Sequence, residues 1–231
     1  MSVKWFTAFL LIGFSNFAQA KEIRTNEVTM PNAPEWLQQT RVEKVTDRIQ
    51  NKLEWSTRRV VVHWYSTPED FDRAHGMGPL AAAVTKQSGG VTTVHMGPTV
   101  TTKNFDEIFG HELVHVIINQ KYKDAIPKWL EEGLANHLAM RGKVDYKWLA
   151  SQPYPEDVRE LAHPFKGSFA LISYRYKASQ ALAEMLAKKC DLENLIRLSV
   201  QRKMEDYIVT YCEIKDLNVA FKDWVKKKAL F

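Results

Sequence analysis

The residues His111, Glu112 and His115 form an H-E-x-x-H pattern that could bind a metal ion and activate water. Side chains four positions apart lie on one face of a helix, so both imidazoles can donate a nitrogen to the same cation. Zinc suits this pair because it accepts nitrogen ligands without requiring a particular d-electron geometry. Glu112 stands beside the first ligand, where a carboxylate can take a proton from water and hand it to a leaving amine. The pattern therefore predicts one Zn²⁺ per chain, with Glu112 as the catalytic base.

The residues around this pattern are strongly apolar: Ile108, Phe109, Leu113, Val116, Ile117 and Ile118. A helix of this composition is expected to be buried, and burying three unpaired polar side chains is costly unless they bind something. Chance would place H-E-x-x-H in a chain of this length in roughly one case in a hundred. The apolar neighbours weaken that explanation further, because charged triads seldom occur in such a stretch. The pattern therefore indicates a metal site.

The third ligand separates the classes of zinc enzyme. A metzincin requires Gly at position 118 and His at position 121, whereas this chain has Ile118 and Lys121, so that class is excluded. A second predicted helix follows after a short connection and carries two adjacent carboxylates, Glu131 and Glu132. The carboxylate ligand is therefore expected on that helix.

H-E-x-x-H followed by P-x-W-L-x-E-G-x-A, here residues 127–135, resembles the gluzincin metallopeptidases, particularly the peptidase MA-like families and more distantly the zinc aminopeptidases. The likeness covers about residues 58–187, and only the zinc core is highly specific. The resemblance implies that Glu132 is the third zinc ligand. Glu131 falls at the variable position before it and is expected on a solvated helix face.

The same resemblance assigns roles to residues outside the ligand set. Thermolysin-like enzymes place a carboxylate four residues after the ligand Glu, where it supports the first histidine. Asn136 holds that position here, and it is expected to accept a hydrogen bond from His111. In gluzincins the strand before the zinc helix is typically the sheet edge that pairs with an extended substrate. Residues 91–96 would take that role, with Val94, His95 and Met96 beside the cleft.

The resemblance also implies a group that stabilises the oxyanion of the tetrahedral intermediate. A Tyr is expected a few residues ahead of the stretch Gly167 to Ala170, but Phe165 stands nearest to that place. His163 is the first candidate and Tyr174 the next, with Tyr154 as a further alternative. If none of them reaches the zinc, turnover would be slow or absent.

The elements that must position these residues predict an α+β fold. Strands are predicted at 59–65, 81–86 and 91–96, with a hairpin turn at Ser88 to Gly90. Helical stretches are predicted at 35–55, 104–121, 127–140, 165–188, 191–203 and 215–228, and a short helix capped by Thr67 follows the first strand. We expect a small mixed sheet packed on the zinc helix, followed by an α-helical C-terminal lobe. The predicted divisions are a signal peptide (1–20), a helical segment (21–57), a zinc-binding lobe (58–145) and a helical lobe (146–231).

The beginning of the chain has the layout of a secretory signal peptide. Lys4 supplies a positive charge, the run from Trp5 to Phe17 is almost wholly apolar, and small residues precede a predicted cut after Ala20. Export to the periplasm or outside the cell is expected, with no stable membrane insertion after cleavage. The alternative is an uncleaved membrane anchor, although this run barely reaches the ~20 residues that a spanning helix needs. In such an oxidising compartment, Cys190 and Cys212 are expected to form a disulfide, with two buried free thiols as the alternative.

Composition adds only exclusions. With 45% hydrophobic and 26% charged residues, the chain matches ordinary globular proteins, which excludes collagen, coiled-coil and disordered classes. The formal charge of +5 is small and dispersed, so nucleic acid is not an expected partner. The basic stretch 222–228 is expected to be a solvated helix end. His63, His75 and His137 are expected to be structural.

Two functions remain open from the sequence. The first is an exported zinc metallopeptidase that hydrolyses peptide or protein substrates, with Glu112 as base. The second is a catalytically silent zinc protein that holds an extended peptide in the same cleft. Retention of Glu112 favours the first, and the missing Tyr favours the second. A purely structural zinc site is disfavoured, because such sites usually have four protein ligands and are rich in Cys.

Overall fold

The fold was obtained as a computed structural model that describes residues 21–53, 58–76, 81–140, 142–162, 167–200 and 202–231. Within these ranges, five strands form one mixed sheet in the order β1-β2-β3-β5-β4. The strands are β1 (Lys21–Arg24), β2 (Val28–Ala33), β3 (Val60–Trp64), β4 (Ala83–Ser88) and β5 (Val91–Met96). β2, β3 and β5 run parallel, whereas β1 and β4 are antiparallel to their neighbours. The predicted α+β class is confirmed.

The predicted hairpin is confirmed, but the edge of the sheet is not where it was expected. Gly89 and Gly90 both have positive φ, at 57° and 77°, as the two central residues of a type I′ hairpin turn require. The turn places β4 outside β5, and the other side of β5 bonds in parallel to β3. The prediction that Val94, His95 and Met96 form the substrate edge strand is therefore wrong. β4 is the edge, because β5 pairs with β4 on one side and with β3 on the other.

The segment predicted as helical, 21–57, also contains two strands. β1 and β2 precede the helix and extend the sheet beyond β3. β2 contains Pro31 and Asn32, which disfavour strands, so its conformation depends on pairing with β3. The Asn32 amide donates to the Trp64 carbonyl at 2.8 Å and accepts from the Trp64 N–H at 3.3 Å. This side chain thus continues the pairing where the backbone ladder stops.

The helices of the described chain are α1 (Gln39–Leu53), α2 (Pro68–His75), α3 (Phe105–Ile117), α4 (Lys128–Leu138), α5 (Tyr146–Ser151), α6 (Phe169–Lys189), α7 (Leu192–Leu198), α8 (Met204–Thr210) and α9 (Leu217–Ala229). A π-helical turn, Ile118–Tyr122, continues α3, and short 3₁₀ turns span Lys123–Ala125 and Val158–Ala162. Thr67 caps α2 as expected, accepting from the N–H of Asp70. The two short helices α5 and α8 were not predicted, because six or seven residues give little periodic signal.

The two faces of the sheet carry different helices. On one face, Thr85 of β4 contacts Glu112 of α3, and its register partner Val94 is fully buried. On the other face, His95 contacts Tyr65, whose ring in turn packs near Phe71 of α2. Because successive strand residues point to opposite faces, neighbours such as Val94 and His95 belong to different environments. The helix α3, which carries the H-E-x-x-H pattern, therefore lies against one face and α2 against the other.

Helix α4 packs between α3 and α6, and its closeness to α6 depends on one glycine. A Cβ atom added at Gly133 would overlap the backbone carbonyl of Ser179 on α6. The hydroxyl of Ser179 donates to the Trp129 carbonyl at 3.2 Å, which joins the same two helices. Gly133 is needed here for close approach, and it immediately follows Glu132. The packing of α6 thus determines where that carboxylate lies.

The predicted disulfide between Cys190 and Cys212 is present, with the two Cα atoms 5.0 Å apart. It joins the end of α6 to the residues after α8, across a sequence separation of 22. Among the residues that the structure describes, no helix is both long enough and apolar enough to cross a membrane. The predicted signal peptide, 1–20, lies outside the described residues.

Candidate metal centre

His111 and His115 lie one turn apart on the buried face of α3. Their side chains are 6% and 11% exposed, and their Nε2 atoms are 3.2 Å apart. The same helix contributes core residues that include Phe109 and Leu113, both fully buried. The expected geometry of the H-E-x-x-H pattern is therefore present, with both imidazoles directed to one point.

Glu132 of α4 supplies a carboxylate at the same point. Its Oε2 lies 3.3 Å from Nε2 of His111, and its Oε1 lies 3.5 Å from Nε2 of His115. Two donor atoms about 2.1 Å from one tetrahedral ion must be about 3.4 Å apart. The distances from Nε2 of His111, 3.2 Å to Nε2 of His115 and 3.3 Å to Oε2 of Glu132, match that requirement, and the other carboxylate oxygen makes the 3.5 Å approach to His115. His111, His115 and Glu132 therefore form a group that can hold a metal ion, with every donor atom within 4.8 Å of the others.

The charges at this point are strongly coupled. Burial opposes a charged imidazole, but the carboxylates of Glu132 and Glu131 outweigh it and hold the pKa of His115 well above its ordinary value. Burial likewise opposes a charged Glu132, yet His115 and His111 hold the pKa of that carboxyl below its ordinary value. Oε2 of Glu132 is also buried without a hydrogen-bond partner among the described residues. An anionic carboxylate with an unbonded buried oxygen fits a cation that binds there.

Glu131 is buried beside His111, His115 and Glu132, which together are called the metal group below. The sequence did not predict that Glu131 is buried. Its side chain is 10% exposed rather than solvated, so the expectation of a solvated helix face is wrong. Oε1 accepts a hydrogen bond from Nδ1 of His115 at 2.9 Å, and Oε2 pairs with Nζ of Lys128. The available sequence signal was Lys128, three residues earlier and one helical turn away. The contact to His115 depends on how α3 and α4 pack, which local spacing does not show.

Asn136 does not support the first histidine as expected. It is buried on α4, at 4% exposure, but Nδ1 of His111 has no hydrogen-bond partner in the part of the chain that the structure describes. The expectation came from the position of a longer carboxylate support in thermolysin-like enzymes. In this fold, the helix α4 supports His115 through Glu131 instead. The two histidines are therefore held differently.

Glu112 is buried on α3 and faces the edge strand. Its Oε2 accepts a hydrogen bond from Oγ1 of Thr85 at 2.7 Å, and its backbone carbonyl lies 3.1 Å from the same hydroxyl. Thr85 belongs to β4, so this contact joins the H-E-x-x-H helix directly to the sheet edge. The sequence did not indicate Thr85, because its role depends on the register of β4 against β5.

The candidates for oxyanion stabilisation are not brought to the metal group by any described contact. His163, the first candidate, and Phe165 lie outside the described residues. Tyr174 is 7% exposed in the core of the helical lobe, near Trp148, and its Oη has no hydrogen-bond partner among the described residues. Burial raises the pKa of Tyr174, and the nearby Tyr154 raises it further. Tyr174 remains a prediction for this role, and Tyr154 lies close to it.

The remaining described histidines are distributed over the fold. His63 and His95 are register partners on the α2 face of the sheet, with ring centroids 5.5 Å apart. His75 ends α2 and packs against Phe71. His137 lies near the end of α4, where burial lowers its pKa. Among the described His, Cys, Asp and Glu side chains, only His111, His115 and Glu132 form a group that could hold a metal ion.

Comparison with known proteins gives no identity. No protein-family model matches this chain, and a search of curated protein sequences finds no match. The resemblance to gluzincins therefore depends on the motif residues themselves, and the argument for function depends on the geometry around His111, His115 and Glu132.

Proposed function

We propose that this protein is an exported zinc-dependent metallopeptidase of the gluzincin type. The observation that carries the proposal is the convergence of two imidazole nitrogens and one carboxylate from two helices, with separations of 3.2 to 3.5 Å. Two nitrogen ligands and one oxygen ligand are a donor set that catalytic zinc sites use, and such sites leave a fourth position open. We propose in addition that the α+β fold of this chain is a gluzincin fold.

Each residue of the site has a distinct role in this proposal. His111 and His115 would hold the zinc through their Nε2 atoms, and Glu132 would hold it through its carboxylate. When bound, Zn²⁺ supplies Lewis acidity that activates water at neutral pH and polarises a peptide carbonyl. Glu112 accepts the proton from water and returns it to the leaving amine. The hydroxyl of Thr85 orients the Glu112 carboxylate, with which it shares a 2.7 Å hydrogen bond.

The substrate is proposed to pair with β4 rather than with β5. β4 is the edge strand next to α3, and one of its sides bonds to β5 while the other has no strand beside it in the described sheet. An extended peptide added there gains backbone hydrogen bonds that do not depend on its sequence. Thr85 belongs to the same strand and contacts Glu112, so a bound peptide would run past the catalytic base.

Export is proposed from two features. Residues 1–20 have the charge, apolar run and small-residue end of a signal peptide. The disulfide between Cys190 and Cys212 is compatible with an oxidising compartment.

The proposal is tested by an unbiased peptide-cleavage profile of the zinc-loaded chain, residues 21–231. The wild type is compared with Glu112→Gln, which removes the catalytic base but keeps the size of the side chain. Glu107→Gln is the matched control. Glu107 is exposed on the same helix. We expect cleavage by the wild type and the control, and a loss on the order of a thousandfold in Glu112→Gln.

Absence of cleavage by all three zinc-loaded proteins would contradict the peptidase function. If the zinc-loaded wild type binds peptides without cleaving them, the result would instead support a silent peptide-binding protein that uses the same cleft.

A further inference from the structure

Glu131 is a buried carboxylate adjacent to the metal group, and the proposed reaction does not use it. It is one residue before the ligand Glu132 on α4, and its side chain is 10% exposed. A buried carboxylate is unfavourable unless it is paired, so its partners identify what it does. Both of its oxygen atoms have a partner, and the two partners differ in kind.

The first partner is the ligand His115. Oε1 of Glu131 lies 2.9 Å from Nδ1 of the imidazole. An ionised carboxylate can only accept a hydrogen bond, so the neutral imidazole must carry its proton on Nδ1. The other nitrogen, Nε2, is then left with its lone pair, and it faces His111 and Glu132. The contact thus selects the one neutral tautomer that can bind a metal ion at this point.

The second partner is Lys128, one turn earlier on the same helix. Its Nζ pairs with Oε2 of Glu131, while its own side chain is 61% exposed. The ammonium of Lys128 supplies the positive partner that a buried carboxylate requires, while His115 occupies the other oxygen. It also fixes the rotation of the carboxylate, because each oxygen is committed to a different donor. Lys128 therefore stabilises the orientation in which Oε1 faces His115.

The two ligand histidines differ in this respect. The ring of His115 has a carboxylate at each nitrogen, Glu131 at Nδ1 and Glu132 at Nε2. The ring of His111 has a carboxylate only at Nε2, and its Nδ1 has no partner among the described residues. Among the described residues, His115 is therefore the one ligand histidine whose ring is oriented by a residue outside the metal group.

We infer that Glu131, held by Lys128, is a positioning residue for the metal ligand His115. It fixes the rotation of the imidazole before the metal binds, and it holds the proton on Nδ1 in the neutral ring that binds the metal, and so raises the affinity of the site. The inference rests on the metal site of the proposed function, but not on peptidase activity. A zinc protein without any cleavage would leave it intact.

The test is the dissociation constant for zinc, measured by competition with a chromophoric chelator on the mature chain. Glu131→Leu removes the acceptor, Glu131→Gln keeps an acceptor oxygen without the charge, and Lys128→Gln removes the outer partner. Glu107→Gln is the matched control on the zinc helix. We expect affinity to fall roughly 10- to 100-fold in Glu131→Leu, less in Glu131→Gln and least in Lys128→Gln, with no change in the control.

Two further measurements separate positioning from a general structural role. The unfolding midpoint of each metal-free variant in urea shows whether it folds. Nitrogen-detected NMR of the zinc-loaded wild type should show His115 with a slowly exchanging Nδ1 proton, and this signal should exchange faster in both Glu131 variants.

Folded Glu131 variants that bind zinc as tightly as the wild type would overturn the inference, as would a proton on Nε2 of His115. A wild-type chain that binds no zinc would overturn both this inference and the metal site itself.

Discussion

Two pairs of histidines lie close together in this fold, and their surroundings give them opposite properties. His111 and His115 on α3 have ring centroids 4.8 Å apart, and His63 and His95 on the sheet have centroids 5.5 Å apart. The first pair faces the carboxylate of Glu132, and Glu131 contacts the far nitrogen, Nδ1, of the His115 ring. The second pair faces no carboxylate among the contacts described. The two pairs therefore differ in their carboxylate partners and not in how close their rings lie.

The protonation of the two pairs follows from this difference. Carboxylates raise the pKa of His115 despite its burial. Burial, the neighbouring His63 and the positive charge of Lys86 lower the pKa of His95 to about 4. Both nitrogens of His95 are already engaged, Nδ1 with the Tyr65 hydroxyl at 2.8 Å and Nε2 with the Thr93 hydroxyl at 3.0 Å. The helix α4, which brings the carboxylates, therefore makes one histidine pair part of a group that can hold a metal ion.

The largest effect is expected from moving α4 itself. Gly133→Ala places a Cβ against the backbone carbonyl of Ser179, which has no flexible end that can move away. We expect at least about 3 kcal/mol of lost stability in urea unfolding, and weaker zinc binding because Glu132 is displaced.

Gly110→Ala is the matched control for that experiment. Its added Cβ comes closer than 3.0 Å only to the far end of the flexible Arg48 side chain, at 2.9 Å, and makes ordinary 3.6 Å contacts with Ala139 and Val45; alanine also favours the helix. Stability within about 1 kcal/mol of the wild type is expected. Equal losses in both variants would contradict the role given to the contact between α4 and α6.

The next largest effect separates the two histidine pairs directly. His115→Ala removes one of three proposed ligands, and we expect the affinity for zinc to fall on the order of a thousandfold. His63→Ala removes a histidine from the other pair and should leave the affinity unchanged. Isothermal titration with zinc measures both. A comparable loss in His63→Ala would mean that the sheet pair also binds the metal.

A smaller effect concerns pH. The folded-state pKa of His95 lies at about 4, below its ordinary value of 6.5, so protonation favours the unfolded chain. Its contribution to stability is complete above pH 6.5 and is lost as the pH falls toward 4. The groups near it are His63, His75, Lys86 and Tyr65. An NMR titration of the His95 ring should show a midpoint near 4, and a midpoint near 6.5 would contradict the environment described here.

The smallest effect comes from one hydroxyl of the sheet pair. Tyr65→Phe removes the hydrogen bond to Nδ1 of His95, and we expect a stability loss of about 1 kcal/mol in urea unfolding. Zinc affinity should equal that of the wild type, because Tyr65 lies on the opposite face of the sheet from α3. A change in zinc affinity would show that the two pairs are coupled.

The metal group could be predicted from sequence because most of its geometry is local. His111 and His115 are positioned by the helical repeat alone, and the hairpin of β4 and β5 follows from Gly89 and Gly90. Glu132 required the resemblance to a known motif, since its approach to the histidines depends on how α4 packs on α3.

The features that were missed or predicted wrongly are tertiary. Glu131 looks like a solvated residue in the sequence, and only the position of His115 shows that it is buried and paired. The strands β1 and β2 have weak propensity; β2 forms against β3, and β1 forms against β2. The edge of the sheet was misplaced because the sequence shows the hairpin but not which of its strands pairs with β3.

The most direct test of the central claim is the zinc X-ray absorption spectrum of the mature chain, loaded with one equivalent of zinc. We expect one tightly bound zinc per chain, coordinated by two imidazoles and one carboxylate, with the signal of one imidazole lost in His115→Ala. A site with three or more imidazoles, or a spectrum unchanged in His115→Ala, would contradict this claim.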